Sequence, residues 1–148
     1  MSAPFIVLAP LRGGEADAAR AAIAALDEPF ARIPGTHLGR IQILQPVGRR
    51  PHLLLAADHD GPVEVWLAAA ARELDAVLAH CAFWPGPSNP AEVARWARER
   101  ELQAGFSIVG SPDATVQEVG EALAVQARIR RLAALDGAEL RAAWEEGR

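Results

Sequence analysis

The chain contains no lysine, and all 15 of its basic residues are arginine. That absence removes Schiff-base chemistry, a phosphate-loop lysine and a lysine general base together. One cysteine, Cys81, excludes an internal disulfide and a cysteine-rich zinc site. It also gives no support to a secreted, disulfide-stapled scaffold, so the cytoplasm is the expected compartment. No apolar run approaches the ~20 residues of a membrane span, and no basic leader precedes the first apolar segment; no membrane partner is expected. No glycine-rich turn joins a strand to a helix at dinucleotide spacing, so neither nicotinamide nor flavin is indicated. The net charge is only -4 and the arginines are spread along the chain, which leaves no footprint for a nucleic-acid backbone.

What is present is a 51% hydrophobic chain of 148 residues, the size of one domain over 1–148, able to bury roughly two-thirds of the surface its unfolded form exposes. Phe5-Ile6-Val7-Leu8-Ala9 reads as a strand apolar on both faces, ending at Pro10. Ala19, Ile23, Leu26 and Phe30 recur at helical spacing, predicting an amphipathic helix from Glu15 to about Phe30 that stops near Pro34-Gly35. Two further strands follow, around Gly35–Leu44 and His52–Gly61, joined by a proline- and glycine-punctuated connection. Pro62 suits a first helical turn, and the stripe Val63, Leu67, Ala70, Leu74, Val77, Cys81 predicts one long helix. Phe83-Trp84-Pro85-Gly86-Pro87-Ser88 is a loop with two large aromatics, a candidate lid or contact surface. Asn89-Pro90 opens a short helix through about Leu102, Phe106-Ser107-Ile108-Val109 is a brief strand signal, and Asp113 caps a helix carrying Val116, Val119, Leu123, Ala127 and Leu132. The tail from Asp136 to Arg148 reads equally as a short helix around Leu140 and Trp144 or as frayed chain.

The central hairpin carries nearly all the concentrated polar chemistry. If it is symmetric about Gly48, residues whose numbers sum to 96 lie opposite one another, so His37 faces His59, Leu38 faces Asp58, and Arg40 is diagonal to Asp58. Alternation then puts His37 and His59 with Gly39, Ile41, Ile43, Leu53, Leu55 and Ala57 on a core face. Arg40, Gln42, His52 and Asp58 fall on the other face, which reads as a cavity lining. Arg40 can offer its fork to a carboxylate or enolate, with Asp58 orienting it or acting as base; a rim salt bridge is the competing reading. His37 and His59 are the candidates for acid–base work, and without a third ligand they do not make a metal site. Gln42, His52, Trp84 and Phe83 are the candidate substrate contacts. The two sets of polar residues serve one pocket only at the sheet end, where the loop at Asp60 and Gly61 opens. His80-Cys81 reads as a helix terminus with a buried thiol rather than a Cys–His nucleophile.

The order strand, helix, strand, strand, helix, extra short helix, strand predicts an α+β fold, the ferredoxin-like βαββαβ unit with an antiparallel sheet. Its core runs over about 4–110, with a C-terminal helical extension over 111–148. On that topology the chain resembles the dimeric α/β-barrel superfamily, which includes antibiotic-biosynthesis monooxygenases, EthD-like proteins and chlorite-dismutase-like haem proteins. Gly35-Thr36-His37-Leu38-Gly39-Arg40 also resembles a Gly-Thr-His motif of small barrel proteins. The resemblance implies two sheets packed face to face in a homodimer around a ligand cavity. Physics points the same way, since Leu8, Leu38, Leu44 and Leu54 on the second sheet face are worth ~1.5 to 3 kcal/mol each when fully buried. A monomer would have to fold its C-terminal helix over that face instead.

No motif names a reaction, and whether the chain is an enzyme at all stays open at this level. The expectation is a binder of a small, largely apolar organic molecule, of the cofactor-independent monooxygenase, cyclase or isomerase kind. A non-catalytic binding or interaction domain on the same scaffold is the alternative. Haem binding is a third reading and requires one histidine projecting into the barrel.

Overall fold

The computed structural model describes residues 2–45, 49–103 and 115–133. Two compact units divide between Thr115 and Val116. In the first, β1 (Ser2–Pro10), α1 (Ala16–Ala24), β2 (Thr36–Leu44), β3 (His52–Asp60), α2 (Val63–Glu73), α3 (Asp75–Leu78) and α4 (Pro90–Arg98) follow in order, with a 3-10 turn at Pro29–Arg32. The second contains α5 (Val116–Ala133). The fold is α+β. No helix among the described residues is long and apolar enough to cross a membrane.

The sheet has three strands in the order β1-β3-β2, with β3 antiparallel to both neighbours. β1 and β2 therefore run parallel, with α1 crossing between them. From Leu38–Asp58 to Leu44–His52 the hairpin keeps the symmetric register expected from its sequence. Transverse rows then read Phe5–Ala57–Gly39, Val7–Leu55–Ile41 and Ala9–Leu53–Ile43 on one face, and Ile6–Ala56–Arg40 and Leu8–Leu54–Gln42 on the other. The first set faces the helices: Val7, Ala9 and Leu53 are wholly buried, among Trp66, Leu67, Leu74, Val77, Trp96 and Ala97. On the second face Ile6, Leu8 and Leu54 are half-buried, and Leu38 is exposed.

Three helix boundaries differ from the periodicity reading, each for a local reason. α1 ends at Ala24, because Pro29 cannot donate to a continuing helix; it starts the 3-10 turn instead, behind Glu28 at φ 40°. That turn places Phe30 against β2. The stripe from Val63 to Cys81 is two helices, since Leu74 departs from helical geometry at φ -106°, ψ 6°. Its side chain stays fully buried, so the apolar stripe survives the break. α4 stops at Arg98, and Leu102 is not helical: its N–H donates to the Ile6 carbonyl at 2.8 Å, while Leu8 N–H donates to the Arg100 carbonyl at 3.0 Å. With the antiparallel bridge Val7–Glu101, these bonds run residues 100–102 along the free edge of β1. The strand signal at Phe106–Val109, the cap at Asp113 and the tail from Asp136 lie outside the described residues.

Gly39 fits the core by its lack of a side chain. A Cβ there would stand 2.1 Å from Cδ1 and Cγ of Phe30, so the phenyl ring lies directly on the β2 backbone. α4 begins with a good cap: the Asn89 side chain accepts from the N–H groups of Ala91 at 3.1 Å and Glu92 at 3.4 Å, and Pro90 sits at the first helical position.

Candidate functional site at the end of the sheet

The symmetric register fails at one place, and the failure builds the site. Between Thr36 and Leu38 the hairpin has a bulge, so Thr36 rather than His37 lies opposite His59. The expected His37–His59 pair is thereby corrected. A bulge puts an extra residue in one strand and re-aims its side chain. Here the extra residue is His37, whose Nε2 lies 2.9 Å from Oδ1 of Asp60, with both side chains about one-fifth exposed. Asp60 is the last residue of β3, and its backbone N–H donates to the Gly35 carbonyl at 2.8 Å. Gly35 and Gly61, at φ 75° and 76°, turn the chain on either side of this contact, a conformation that glycine adopts without a Cβ penalty.

Behind the pair, Thr36, Trp66 and His59 are held together by hydrogen bonds and ring stacking. Thr36 Oγ1 donates to the Ile33 carbonyl at 2.8 Å and accepts from Trp66 Nε1 at 2.8 Å. The Trp66 ring stacks on His59, with centroids 5.4 Å apart and planes 17° from parallel, and meets Phe5 edge-on. His59 is 1% exposed and is the buried polar side chain of the core; its Nδ1 approaches the Asp60 carbonyl at 3.4 Å. His59 thus sits on the core face as its alternation required, packed under tryptophan. His37 is the histidine at the surface.

Asp60 also borders a groove of about 320 Å³ lined by Pro34, Gly35, Gly61, Pro62, Val65, Trp66 and Ala69, whose lining does not include His37. Apolar side chains dominate its wall, and Asp60 brings a carboxylate into it. At this end of the sheet Asp60 lines the groove, and His37 is connected to it through its contact with Asp60.

The other candidates are placed elsewhere. Arg40 is exposed and directs Nε and Nη2 to Gln42 Oε1 at 3.1 and 2.7 Å, and no ion pair joins it to Asp58. His52, at the opposite end of β3, is within 2.8 Å of the Arg50 carbonyl through Nδ1. Trp84 is held in place, its Nε1 donating to Asp75 Oδ1 at 2.8 Å and its ring edge-on to Trp96 at 4.9 Å. Its neighbour Phe83 is 84% exposed at φ 59° and borders a second groove of about 550 Å³ with Arg95, Trp96 and Arg100. The structure therefore brings His37 to Asp60 and leaves Arg40, Gln42, Asp58 and His52 on the open sheet face. Among the described residues no three His, Cys, Asp or Glu side chains converge as a metal-binding group.

At the C-terminal end of α3, His80 Nδ1 contacts Glu15 Oε2 at 2.5 Å. That hydrogen bond holds the Glu15 carboxyl below the ordinary glutamate range against the opposing effect of burial, with Arg12 adding attraction. Cys81 is buried, and desolvation pushes its thiol up to about 12 despite the nearby Arg100 and Arg12. Such a thiol is inert at neutral pH, which fits the helix-terminus reading of this dipeptide.

Asp60, Thr36 and Trp66 were not among the sequence candidates. Asp60 adjoins His59 in the polar cluster, so proximity was visible, but only the bulge aims His37 at it. Comparison with protein-family models, with curated proteins and with solved structures finds no match.

Proposed function

We propose that the chain is a ferredoxin-like small-molecule-binding protein that performs cofactor-independent acid–base chemistry on a largely apolar organic substrate held in the groove at the sheet end. The observation that carries this reading is that Asp60, which lines an apolar groove, is within hydrogen-bond distance of the His37 imidazole. Monooxygenase, cyclase and isomerase chemistry without a cofactor all can begin by taking a proton from an acidic C–H or O–H. The contact between His37 Nε2 and Asp60 Oδ1 ties the imidazole to the carboxylate. Asp60 presents the carboxylate to the groove, and His37 holds its orientation and shares the charge. Pro62, Val65 and the Trp66 ring give an apolar substrate its binding surface.

The topology supports the fold part of this reading. The order β1-β3-β2, the α1 crossover and the edge of β1 met by residues 100–102 are compatible with a ferredoxin-like unit, in which a further strand would lie beside β1. The open sheet face, with Leu38 65% exposed, is where the homodimer partner of an α/β barrel would pack.

The test uses 2-acetylnaphthalene, an enolisable apolar ketone, in D₂O. Exchange of its α-protons, followed by proton NMR, should be faster with the protein than without. H37A should lower the enzymatic exchange by about 10²-fold or more. Backbone shifts should cluster at Gly35, Asp60, Gly61 and Val65. Exchange equal in wild type and H37A contradicts the acid–base role, and shifts confined to the open sheet face contradict the location.

A further inference from the structure

α5 is an 18-residue helix whose side chains are all exposed from Gly120 to Arg131, with Leu123, Val125 and Ile129 each more than half exposed. Exposed helices of this length are marginal in water unless an apolar face is covered. Its apolar positions are not random. Ala122, Val125 and Ile129 follow the alternating three- and four-residue spacing of a coiled-coil seam. The other apolar stripe, through Val116, Val119, Leu123 and Ala127, holds the half-buried positions Val116 and Val119, so it is not the fully exposed face.

Charge selects the occupant of that seam. Glu118 and Glu121 lie in the first half of α5, and Arg128, Arg130 and Arg131 in the second. Glu121 and Arg128 each immediately precede a seam residue, Ala122 and Ile129, so they flank the seam on the same side. They also lie equally far from the two ends of the helix. When two such helices run antiparallel, the positions just before the seam face each other, so Glu121 of each helix meets Arg128 of the other, twice by symmetry. In a parallel pair the position facing Glu121 is Gln126, and the charges do not meet.

We propose that α5 is a self-recognition element that pairs antiparallel with α5 of a second copy of the chain. The seam is short and built from small side chains, so the contact belongs to the weak, transient class of interfaces. It is separate from the sheet-end groove and stands whether or not that groove is catalytic.

The experiment is disulfide trapping in the full chain at about 100 μM under mild oxidation, read on non-reducing gels. Cys81 does not compete, because it is buried and its ionisation is suppressed. V125C lies close to the two-fold axis and should cross-link to itself. I129C is displaced along the helix by roughly 14 Å from its counterpart and should cross-link at least about tenfold less. E121R, added to V125C, should reduce trapping several-fold, and E121R with R128E should restore it. A122C, also near the axis, replaces V125C if circular dichroism shows that variant to be unfolded. Equal trapping of V125C and I129C, no trapping at either 122 or 125, or indifference to E121R overturns the proposal; the first result indicates parallel or random association, the second a cover other than a second α5.

Discussion

Replacing Gly39 by alanine isolates the contact that seats the 3-10 turn on the sheet. The new Cβ would stand 2.1 Å from the Phe30 ring, far inside van der Waals contact, and the ring belongs to a rigid turn between Pro29 and Arg32. Either Phe30 swings out toward solvent or β2 shifts away from the helices. Overpacking of this kind costs ~1 to 3 kcal/mol. F30A alone removes a half-buried ring and should cost about 1 to 2 kcal/mol, less than the 3 to 5 of a fully buried phenylalanine. In the double variant the alanine at 39 meets empty space, so the two losses should not add; a coupling of about 1 to 2 kcal/mol is expected. Urea unfolding of the wild type and three variants measures it: with a slope of ~1 to 2 kcal/mol/M, G39A should lower the midpoint by about 0.5 M or more. A G39A midpoint within about 0.2 M of wild type, or strictly additive losses, would refute the reasoning.

Other outcomes follow from the same structure. T36V leaves the Trp66 indole N–H, part of a residue 2% exposed, without its acceptor, and should destabilise by about 1 to 3 kcal/mol in the same urea assay. N89A removes the acceptor of two backbone N–H groups at the start of α4 and should cost ~1 kcal/mol, whereas N89D should retain most of it. Because Glu15 titrates below its ordinary range when folded, its contribution to stability is complete above the unfolded pKa and is lost as pH falls through the lower folded value. E15Q should therefore destabilise the chain by a constant amount at and above neutral pH, and its stability should converge with that of wild type as pH falls below the ordinary glutamate range, so that the acid limb is flatter in the variant. Cys81, with its thiol pushed to about 12, should react with a chromogenic disulfide at pH 8 only as fast as the chain opens, and at the rate of a free thiol in 6 M urea.

The hairpin was the most legible part of the sequence. Its alternating residues and punctuated connection gave the register from Leu38 to Leu44, and with it the burial of His59 and the exposure of Arg40. The bulge at His37 left no such mark, because side-chain alternation is read on the assumption of one residue against one. Since the bulge alone brings His37 to Asp60, the residues were visible and their meeting was not. The helix break at Leu74 was equally hidden: neither proline nor glycine stands there, and the apolar period continues across it. Pro29, by contrast, was in plain view and outweighs the period that reaches Phe30. The edge pairing of residues 100–102 with β1 is a tertiary event, made by backbone groups that any sequence supplies.

The most direct test of the central claim is α-proton exchange of 2-acetylnaphthalene in wild type, H37A and D60N, each with its groove occupancy checked by backbone NMR. The account predicts that both variants still shift Gly35, Gly61 and Val65 on adding the ketone while losing about 10²-fold or more of the exchange rate. Binding in the groove with wild-type exchange rates in both variants would contradict it.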